Sequence, residues 1–256
     1  MTDRRVFHDT MRLLLYNIRY GTGPNRFFLP CGGYLGDSTR NIEAISDFVA
    51  SCEPDVAGLV EVDEGSFRTG HRNQAEQMAA RLGHYHIYRS KYHAEGWTRF
   101  IPVMNKQGNA FLTRDSIEPV FHYFKRGMKK LIIELELENV VIFLVHLALQ
   151  FRTRHQQLAE LYNLVERTEK PVIVAGDFNA LWGENEIDLF LGATRLTSAN
   201  ENRVPTFPSW KPRRHLDFIL HSPEIHSVRF DVPQVELSDH LPLVWDFEVE
   251  PQRATP

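Results

Sequence analysis

The chain has 256 residues, of which 43% are hydrophobic and 24% are charged, with a formal net charge of −4 and a pI of about 6.3. This composition is typical of a globular protein with a large core. It argues against a generally basic nucleic-acid coat protein but not against an enzyme that binds a few phosphates locally. Cys31 and Cys52 lack metal-type spacing, which argues against a disulfide framework and favours a reducing compartment.

The first apolar run, residues 13–16, is too short for a signal sequence or a membrane span, so we expect a cytoplasmic protein without stable membrane insertion. Similar runs recur along the chain, and many are rich in Val, Ile and Phe. They predict strands at residues 12–16, 56–60, 84–89, 108–113, 130–136, 140–146, 172–175, 216–220 and 243–249. The runs at 130–136 and 140–146 flank a Glu138–Asn139 turn and therefore predict a hairpin.

Between these runs, apolar residues recur at helical spacing. They predict helices over about 37–51, 73–82, 152–169 and 186–191. Strands thus alternate with helices in some places and form hairpins in others. This pattern is typical of two mixed sheets packed face to face with helices outside, in one domain spanning 1–256 with a core at about 12–249.

Two long loops are predicted at residues 21–35 and 91–106, and the second contains Trp97 and Phe100. Long apolar loops in a compact domain often form the walls of a substrate site, although they can instead simply cover the core.

The strand predicted at 172–175 runs into Gly176, Asp177, Phe178 and Asn179. Because residues i and i+2 of a strand point to the same side, Asp177 and Asn179 can converge on one point past the strand end. A carboxylate and a carboxamide there suit Mg²⁺ or Mn²⁺ and a phosphate rather than a soft metal. The alternative is an Asx turn that ends a core strand.

Other polar residues stand at the ends of predicted strands. Each alone is explained by a turn or a local hydrogen bond, but their recurrence favours a shared site. Beside Asp177 and Asn179, they are Asn17, Glu61, His146, Asp217, Asp239 and His240.

In chain order, Asn17, Glu61, His146, GDFN at 176–179, LDFIL at 216–220 and SDHLP at 238–242 resemble the endonuclease/exonuclease/phosphatase superfamily, from about residue 12 to 249. That superfamily includes pancreatic deoxyribonuclease, exonuclease III, neutral sphingomyelinases and inositol polyphosphate 5-phosphatases. The resemblance implies a four-layered α/β sandwich and phosphoester cleavage that depends on a divalent metal, Mg²⁺ or Mn²⁺.

The resemblance also implies a role for each motif residue. Glu61 is expected to be the main metal ligand, assisted by Asn17 and Asp239. Asp217 is expected to orient His240, which would take a proton from the attacking water or stabilise the phosphorane oxygen.

Asp177 resembles the family residue that holds the nucleophile or the leaving group, and Asn179 resembles the one that binds phosphate. His146 matches the second histidine of the deoxyribonuclease and sphingomyelinase branches, which acts on the leaving oxygen or a phosphate oxygen. In the deoxyribonuclease branch a Glu on an earlier strand supports that histidine. The comparable stretch here, residues 86–91, contains no acid, so the support of His146 is open. Asn109 is a further candidate for contacting phosphate.

The substrate is less clearly indicated. Several cations near the motifs could hold phosphate or form a solvated face: Arg152, Arg154, Lys211, Arg213 and Arg214. Trp210 follows a Thr206–Phe207–Pro208 segment that resembles many small bacterial-type members, and it could stack on a base or cover a lipid headgroup.

We expect a monomeric phosphodiesterase acting on DNA or RNA. The alternative substrate is a phospholipid, a sphingolipid or a small phosphate ester. A third interpretation is a non-catalytic binding module of the same fold, but such a module should have lost at least one of the carboxylates or His240, and this chain retains them all.

Overall fold

The computed structural model describes residues 10–24, 38–91, 103–181 and 183–250. In these ranges the chain forms twelve strands and four α-helices. The strands are β1 (Met11–Asn17), β2 (Val56–Asp63), β3 (Tyr85–Ser90), β4 (Gln107–Thr113), β5 (Val120–Tyr123), β6 (Leu131–Glu136), β7 (Val141–His146), β8 (Val172–Asp177), β9 (Thr197–Ser198), β10 (Asp217–His221), β11 (Ile225–Asp231) and β12 (Leu243–Val249). The helices are α1 (Thr39–Ser51), α2 (Gln74–Leu82), α3 (Phe151–Val165) and α4 (Asn185–Thr194).

The strands form two six-stranded mixed sheets of matching design. The first has the order β11-β12-β1-β2-β4-β3 and the second the order β5-β6-β7-β8-β10-β9. Each sheet has one parallel pair at its centre, β1 with β2 and β7 with β8, and antiparallel pairs on both sides. The predicted hairpin of β6 and β7 is confirmed.

Strand alternation divides the apolar residues among three cores. In β1, Leu13 and Leu15 lie between the two sheets, whereas Leu14 and Tyr16 pack on the outer face with α1 and α2. The outer face of the second sheet forms a further core with α3 and α4. The layers are therefore helix, sheet, sheet and helix, which confirms the α/β sandwich.

The two sheets approach each other closely at their centres. A Cβ atom at Gly58 of β2 would lie 3.1 Å from Leu144 Cδ1 of β7, on the opposite sheet. Leu144 has no exposed surface. Gly58 thus leaves room for the leucine, and the sheets are in direct contact there.

Three strands were not predicted, and each lies at or next to the edge of a sheet: β5, β9 and β11. Edge strands are half exposed and carry polar residues, as the mostly exposed β11 shows, so their apolar pattern is weak. Helix α3 ends at Val165, before the polar residues 166–169 that were predicted to continue it.

Most of both predicted loops lies outside the described residues, including Cys31, Trp97 and Phe100. In the described ranges, none of the helices has the length and apolar character that crossing a membrane would require.

Replacing Leu144 with alanine should leave a cavity between the sheets. We expect Leu144→Ala to lower the free energy of unfolding by about 2–5 kcal/mol, because a rigid interface closes such a void only partly. Leu189 is 70% exposed on α4 and provides a control. Leu189→Ala should change stability by less than about 0.5 kcal/mol in the same urea titration. Equal losses for the two variants would contradict the direct packing of the sheets.

His215 should make the fold sensitive to acid. It is 5% exposed, and its ring stacks on Phe218 with centroids 3.9 Å apart. Burial lowers the pKa of His215 to about 4, although the negative charge of Asp217 partly opposes this shift. Because the pKa is lower in the folded state than in the unfolded chain, the stabilisation is fully present above about pH 6.5 and is lost as the pH falls towards 4.

We therefore expect His215→Gln to weaken the pH dependence of stability. Glutamine can still accept the hydrogen bond that joins His215 Nε2 to Asn200 Nδ2, 3.2 Å away. Between pH 7 and about 4.5, the wild type should lose about 2 kcal/mol more unfolding free energy than the variant. Parallel urea titrations at the two pH values measure this difference, and identical losses would exclude His215 as the cause.

Candidate active site

The facing surfaces of the two sheets change from apolar to polar at one end of the sandwich. Leu15 of β1 and Ala175 of β8 lie in the core between the sheets. By strand alternation, the next residues on this face are Asn17 and Asp177. The residues that continue the facing surfaces in this way are Asn17, Asn109, His146, Asp177 and Asp217. The strand ends therefore bring polar groups from both sheets to one place.

Glu61 reaches the same place through a bulge in β2. Strict alternation would point it to the outer face with Leu59, which packs on the helix side of the sheet. The register of β2 with β4 shifts between Leu59 and Val62, and Glu61 has a φ of 58°. A bulge turns a side chain to the other face. As a result, Glu61 Oε1 lies 3.9 Å from His146 Nε2 of the opposite sheet.

Asp177 is the residue on which the site's contacts converge. Asn17 Nδ2 donates a hydrogen bond of 3.0 Å to Asp177 Oδ2, across the two sheets. The Nε2 atoms of His146 and His240 lie 3.4 Å and 3.9 Å from the same oxygen. Burial alone would raise the pKa of Asp177, but the charge of His240 and the hydrogen bond with His146 hold it well below its ordinary value. Asp177 is therefore a carboxylate at neutral pH.

His240 and Asp217 form a buried pair. His240 Nδ1 lies 2.8 Å from Asp217 Oδ2, and Thr206 Oγ1 donates to the same oxygen at 2.6 Å. Burial alone would lower the pKa of His240, but the charges of Asp217 and Asp177 outweigh it and raise the pKa to about 10. In this environment the imidazole is protonated at neutral pH, so it can donate to an anion but cannot accept a proton.

His146 has a lysine as a neighbour on its Nε2 side. Lys129 Nζ contacts His146 Nε2. Burial, and then the charge of Lys129, lower the pKa of His146 to about 4. His146 Nδ1 is buried and has no hydrogen-bond partner among the described residues. The two histidines thus differ in charge, because His146 is neutral and His240 is positive.

A second lysine lies beside Glu61. Lys91 is 4% exposed, and its ammonium group contacts the hydroxyl of Tyr20. Burial lowers the pKa of Lys91 to about 7, although the charge of Glu61 opposes this. In turn, Lys91 and Lys129 lower the pKa of Glu61 against the effect of burial. Sequence reasoning did not identify either lysine, since neither belongs to a motif.

Asn17, Glu61 and Asp239 offer only oxygen ligands, which suits a hard divalent cation. Asp239 Oδ2 lies 3.2 Å from Arg19 Nε. Burial raises the pKa of Asp239, the charges of His240 and Arg19 oppose this, and the charge of Glu61 adds to the rise. The effect of Glu61 on Asp239 indicates that the two carboxylates share one region, where a cation would relieve their repulsion.

A second set of residues could also hold a metal. One ligand atom from each of Asp177, Asp217 and His240 lies within 4.8 Å of the others. However, an ion bound there would compete with the proton that joins His240 to Asp217.

The two asparagines expected to bind phosphate are both buried here. Asn179 N donates to Asp177 Oδ1 at 2.9 Å, and Asn179 Nδ2 donates to Leu147 O at 2.9 Å. The Asx turn at Asp177 is therefore present. It is compatible with the other interpretation of residues 176–179, a site for a metal and a phosphate. Asn109 Oδ1 accepts a weak bond from Glu61 N at 3.4 Å, while its Nδ2 has no partner among the described residues. That amide group can donate to an anionic oxygen.

The cations expected to hold phosphate differ in position. Arg154 has no exposed surface and donates to Glu186 Oε1 at 2.5 and 2.8 Å and to the carbonyls of Ala148 and Leu149. The expectation for Arg154 is therefore wrong, because it is a structural residue. The other four are exposed: Arg152, Lys211, Arg213 and Arg214.

Comparison with known proteins identifies the family of the chain. The model of the Endonuclease/Exonuclease/phosphatase family matches residues 14–240. A structure of an endonuclease/exonuclease/phosphatase from Beutenbergia cavernae DSM 12333 is 18% identical, with a TM-score of 0.71, and the match covers 94% of this chain and 72% of that chain. No curated protein matches the sequence.

Two further structures share the fold. The human Nocturnin catalytic domain, solved with a bound sulfate anion, is 20% identical with a TM-score of 0.67, over 96% of this chain and 95% of that one. The mannosyl-6-phosphatase of Bacteroides thetaiotaomicron VPI-5482 is 16% identical with a TM-score of 0.66, over 93% and 99%. The chain belongs to the Endonuclease/Exonuclease/phosphatase family, whose members are generally hydrolases of phosphoester bonds and typically depend on a divalent metal.

Proposed function

We propose that this protein is a divalent-metal-dependent phosphodiesterase that acts on nucleic acid. The observation that carries the proposal is the environment of Asp177, a buried carboxylate that lies within 4 Å of both His146 and His240. A phosphodiester needs an activated water, charge stabilisation at phosphorus and help for its leaving oxygen. Anionic and cationic groups at this spacing can supply all three.

Asn17, Glu61 and Asp239 are the proposed metal ligands. A bound Mg²⁺ or Mn²⁺ would supply positive charge to the phosphoryl oxygens and would acidify a water molecule. Asp177 is ionised, and we assign it to orienting the attacking water by accepting a hydrogen bond from it.

The histidines have separate proposed roles. Because the pKa of His240 is raised to about 10, its protonated ring favours stabilising the phosphorane oxygen over accepting a proton from water. Asp217 and Thr206 hold this ring in place. His146 is neutral and therefore not a proton donor at neutral pH. Beside the Lys129 ammonium group, it is proposed to form a hydrogen bond with the leaving oxygen or a phosphate oxygen.

Asn109 and Asn179 are proposed to bind the phosphate. The unpaired amide of Asn109 supports its part, since a buried donor without a partner is costly and a phosphate oxygen would satisfy it.

Nucleic acid is preferred as the substrate because it is the phosphodiester that the deoxyribonuclease-like motifs favour. A phospholipid, sphingolipid or small phosphate ester is the alternative, and the name of the Bacteroides mannosyl-6-phosphatase supports a sugar phosphate within that group. We also propose that the protein is a cytoplasmic monomer.

A substrate panel tests the reaction class. With Mg²⁺ or Mn²⁺, the protein should cleave bis(p-nitrophenyl) phosphate and also DNA or RNA, and EDTA should abolish both activities. Cleavage of nucleic acid should weaken steeply as salt increases, because salt competes for phosphate contacts. Cleavage of sphingomyelin or mannose 6-phosphate alone would favour the alternative substrates, and full activity in EDTA would contradict the metal dependence.

His240 provides the sharpest test of the mechanism. We expect His240→Ala to lower kcat by about 10²–10⁴-fold, the usual effect of removing such a group. His226 is a matched control, since it also pairs with a carboxylate, Glu250, at 2.7 Å but is exposed on β11. His226→Ala should retain kcat within about twofold. Comparable losses in the two variants, with both folded by circular dichroism, would exclude the proposed role of His240.

A further inference from the structure

We propose that a basic pocket beside the active site binds a second phosphate group of the substrate. This inference rests on the proposed function and narrows its substrate class to phosphoesters that carry another phosphate near the one that is cleaved. A nucleic acid strand meets this requirement, as does a small bisphosphate.

The pocket is a cavity of about 640 Å³ between the loop that joins β5 to β6 and the start of α3. Its charged lining residues in the described part of the chain are all cations: Lys91, Lys125, Arg126, Lys129 and Lys130. Such a concentration is unexpected in a chain with a net charge of −4. Crowded like charges repel, and an anion between them would relieve that repulsion.

The basic loop is held in a fixed shape. Gln157 Nε2 donates to the carbonyls of Arg126 and Lys129, at 3.0 and 2.7 Å. Gln157 Oε1 accepts from Ala148 N at 2.8 Å, which ties the loop to the chain just after β7. Gly127 has a φ of 102°, and a Cβ there would lie 2.8 Å from Gln157 Nε2. The cations are therefore presented by a rigid loop rather than by a solvated tail.

The pocket connects directly to the candidate active site. Lys129 lines the pocket and also contacts His146, and Lys91 lines it and acts on Glu61. Ala148 and Leu149, two and three residues after His146, form part of its wall. A substrate with one phosphate at His146 would thus place a neighbouring phosphate within reach of the basic loop.

The outer part of the pocket has both charged and apolar groups. The side chains of Lys125 and Arg126 are exposed and have no carboxylate partner among the described residues. Met128 and Leu149, 58% and 52% exposed, line the same pocket. These apolar side chains can contact the organic group between two phosphates, while the cations bind the second phosphate.

Competition with nucleotides tests the pocket in the intact chain. Deoxythymidine 3′,5′-bisphosphate should inhibit hydrolysis of bis(p-nitrophenyl) phosphate at least about tenfold more strongly than either thymidine monophosphate. The bisphosphate carries a phosphate at each end, so the test does not depend on strand polarity. Fructose 1,6-bisphosphate serves as a second probe that has no base.

A double variant, Lys125→Ala with Arg126→Ala, should reduce this preference to about twofold or less. The charge-matched control is Arg81→Ala with Arg167→Ala, two exposed cations on α2 and in the turn after α3, and it should keep the full preference. If deoxythymidine 3′,5′-bisphosphate inhibits more strongly than the monophosphates and fructose 1,6-bisphosphate does not, the pocket is specific for nucleotides. If both bisphosphates inhibit equally strongly, the pocket binds bisphosphates in general. No preference in the wild type, or an unchanged one in the double variant, would overturn the inference.

Calorimetry separates this inference from the proposed function. If the wild type does not hydrolyse bis(p-nitrophenyl) phosphate, the proposed function fails. Binding of deoxythymidine 3′,5′-bisphosphate and of 5′-monophosphate can still be compared directly by titration calorimetry. If the wild type binds the bisphosphate more tightly than the monophosphate and the double variant does not, the inference of a phosphate-binding pocket stands. Equal binding of the two ligands by the wild type would exclude the pocket.

Discussion

The site depends on the face-to-face packing of the two sheets. Their facing surfaces share one apolar core, which ends where Asn17 hydrogen bonds to Asp177 across the gap. Strands β1, β7, β8 and β10, which contribute to this core, each end in or begin with a polar residue on the same face. Because the sheets are in contact at Gly58 and Leu144, the polar ends are also held at contact distance. The geometry of the site is thus set by the core beneath it.

Burial gives these groups their chemistry. Several carboxylates are removed from water at this end of the sandwich, and ionised carboxylates there require nearby positive charge. Arg19, Lys91, Lys129 and His240 supply that charge in the described part of the chain. The same balance sets the two histidines apart, since His240 lies between carboxylates and His146 lies against a lysine. Two identical side chains are thereby prepared for different tasks.

Lys129 links the two parts of the substrate site that we propose. It contacts His146 on one side and lines the basic pocket on the other. Lys129 thus adds positive charge to surroundings of His146 that also contain the carboxylates of Asp177 and Glu61. This added charge favours a substrate with additional negative charge.

Much of the architecture was predictable, because buried strands have strong apolar patterns. Nine strands, four helices and the sandwich could be predicted, whereas the edge strands β5, β9 and β11 could not, since their pairing partners rather than their own sequences stabilise them. The motif residues Asn17, Asp177, Asp217 and His240 could be named as site candidates because they follow or precede such patterns. Arg154 was misassigned, since its burial against Glu186 arises only from the packing of α3 on α4.

The sequence by itself determined which strand ends carry oxygen ligands and histidines, because alternation fixes the face of each side chain. Only the tertiary structure decided how these groups act together. The bulge at Glu61 turns its carboxylate towards His146, and no local pattern encodes that turn. Lys91 and Lys129 come from loops far apart in the chain, so their charges reach the site only through folding. Protonation and anion binding depend on these long-range contacts, and for that reason they follow from the fold rather than from the motifs.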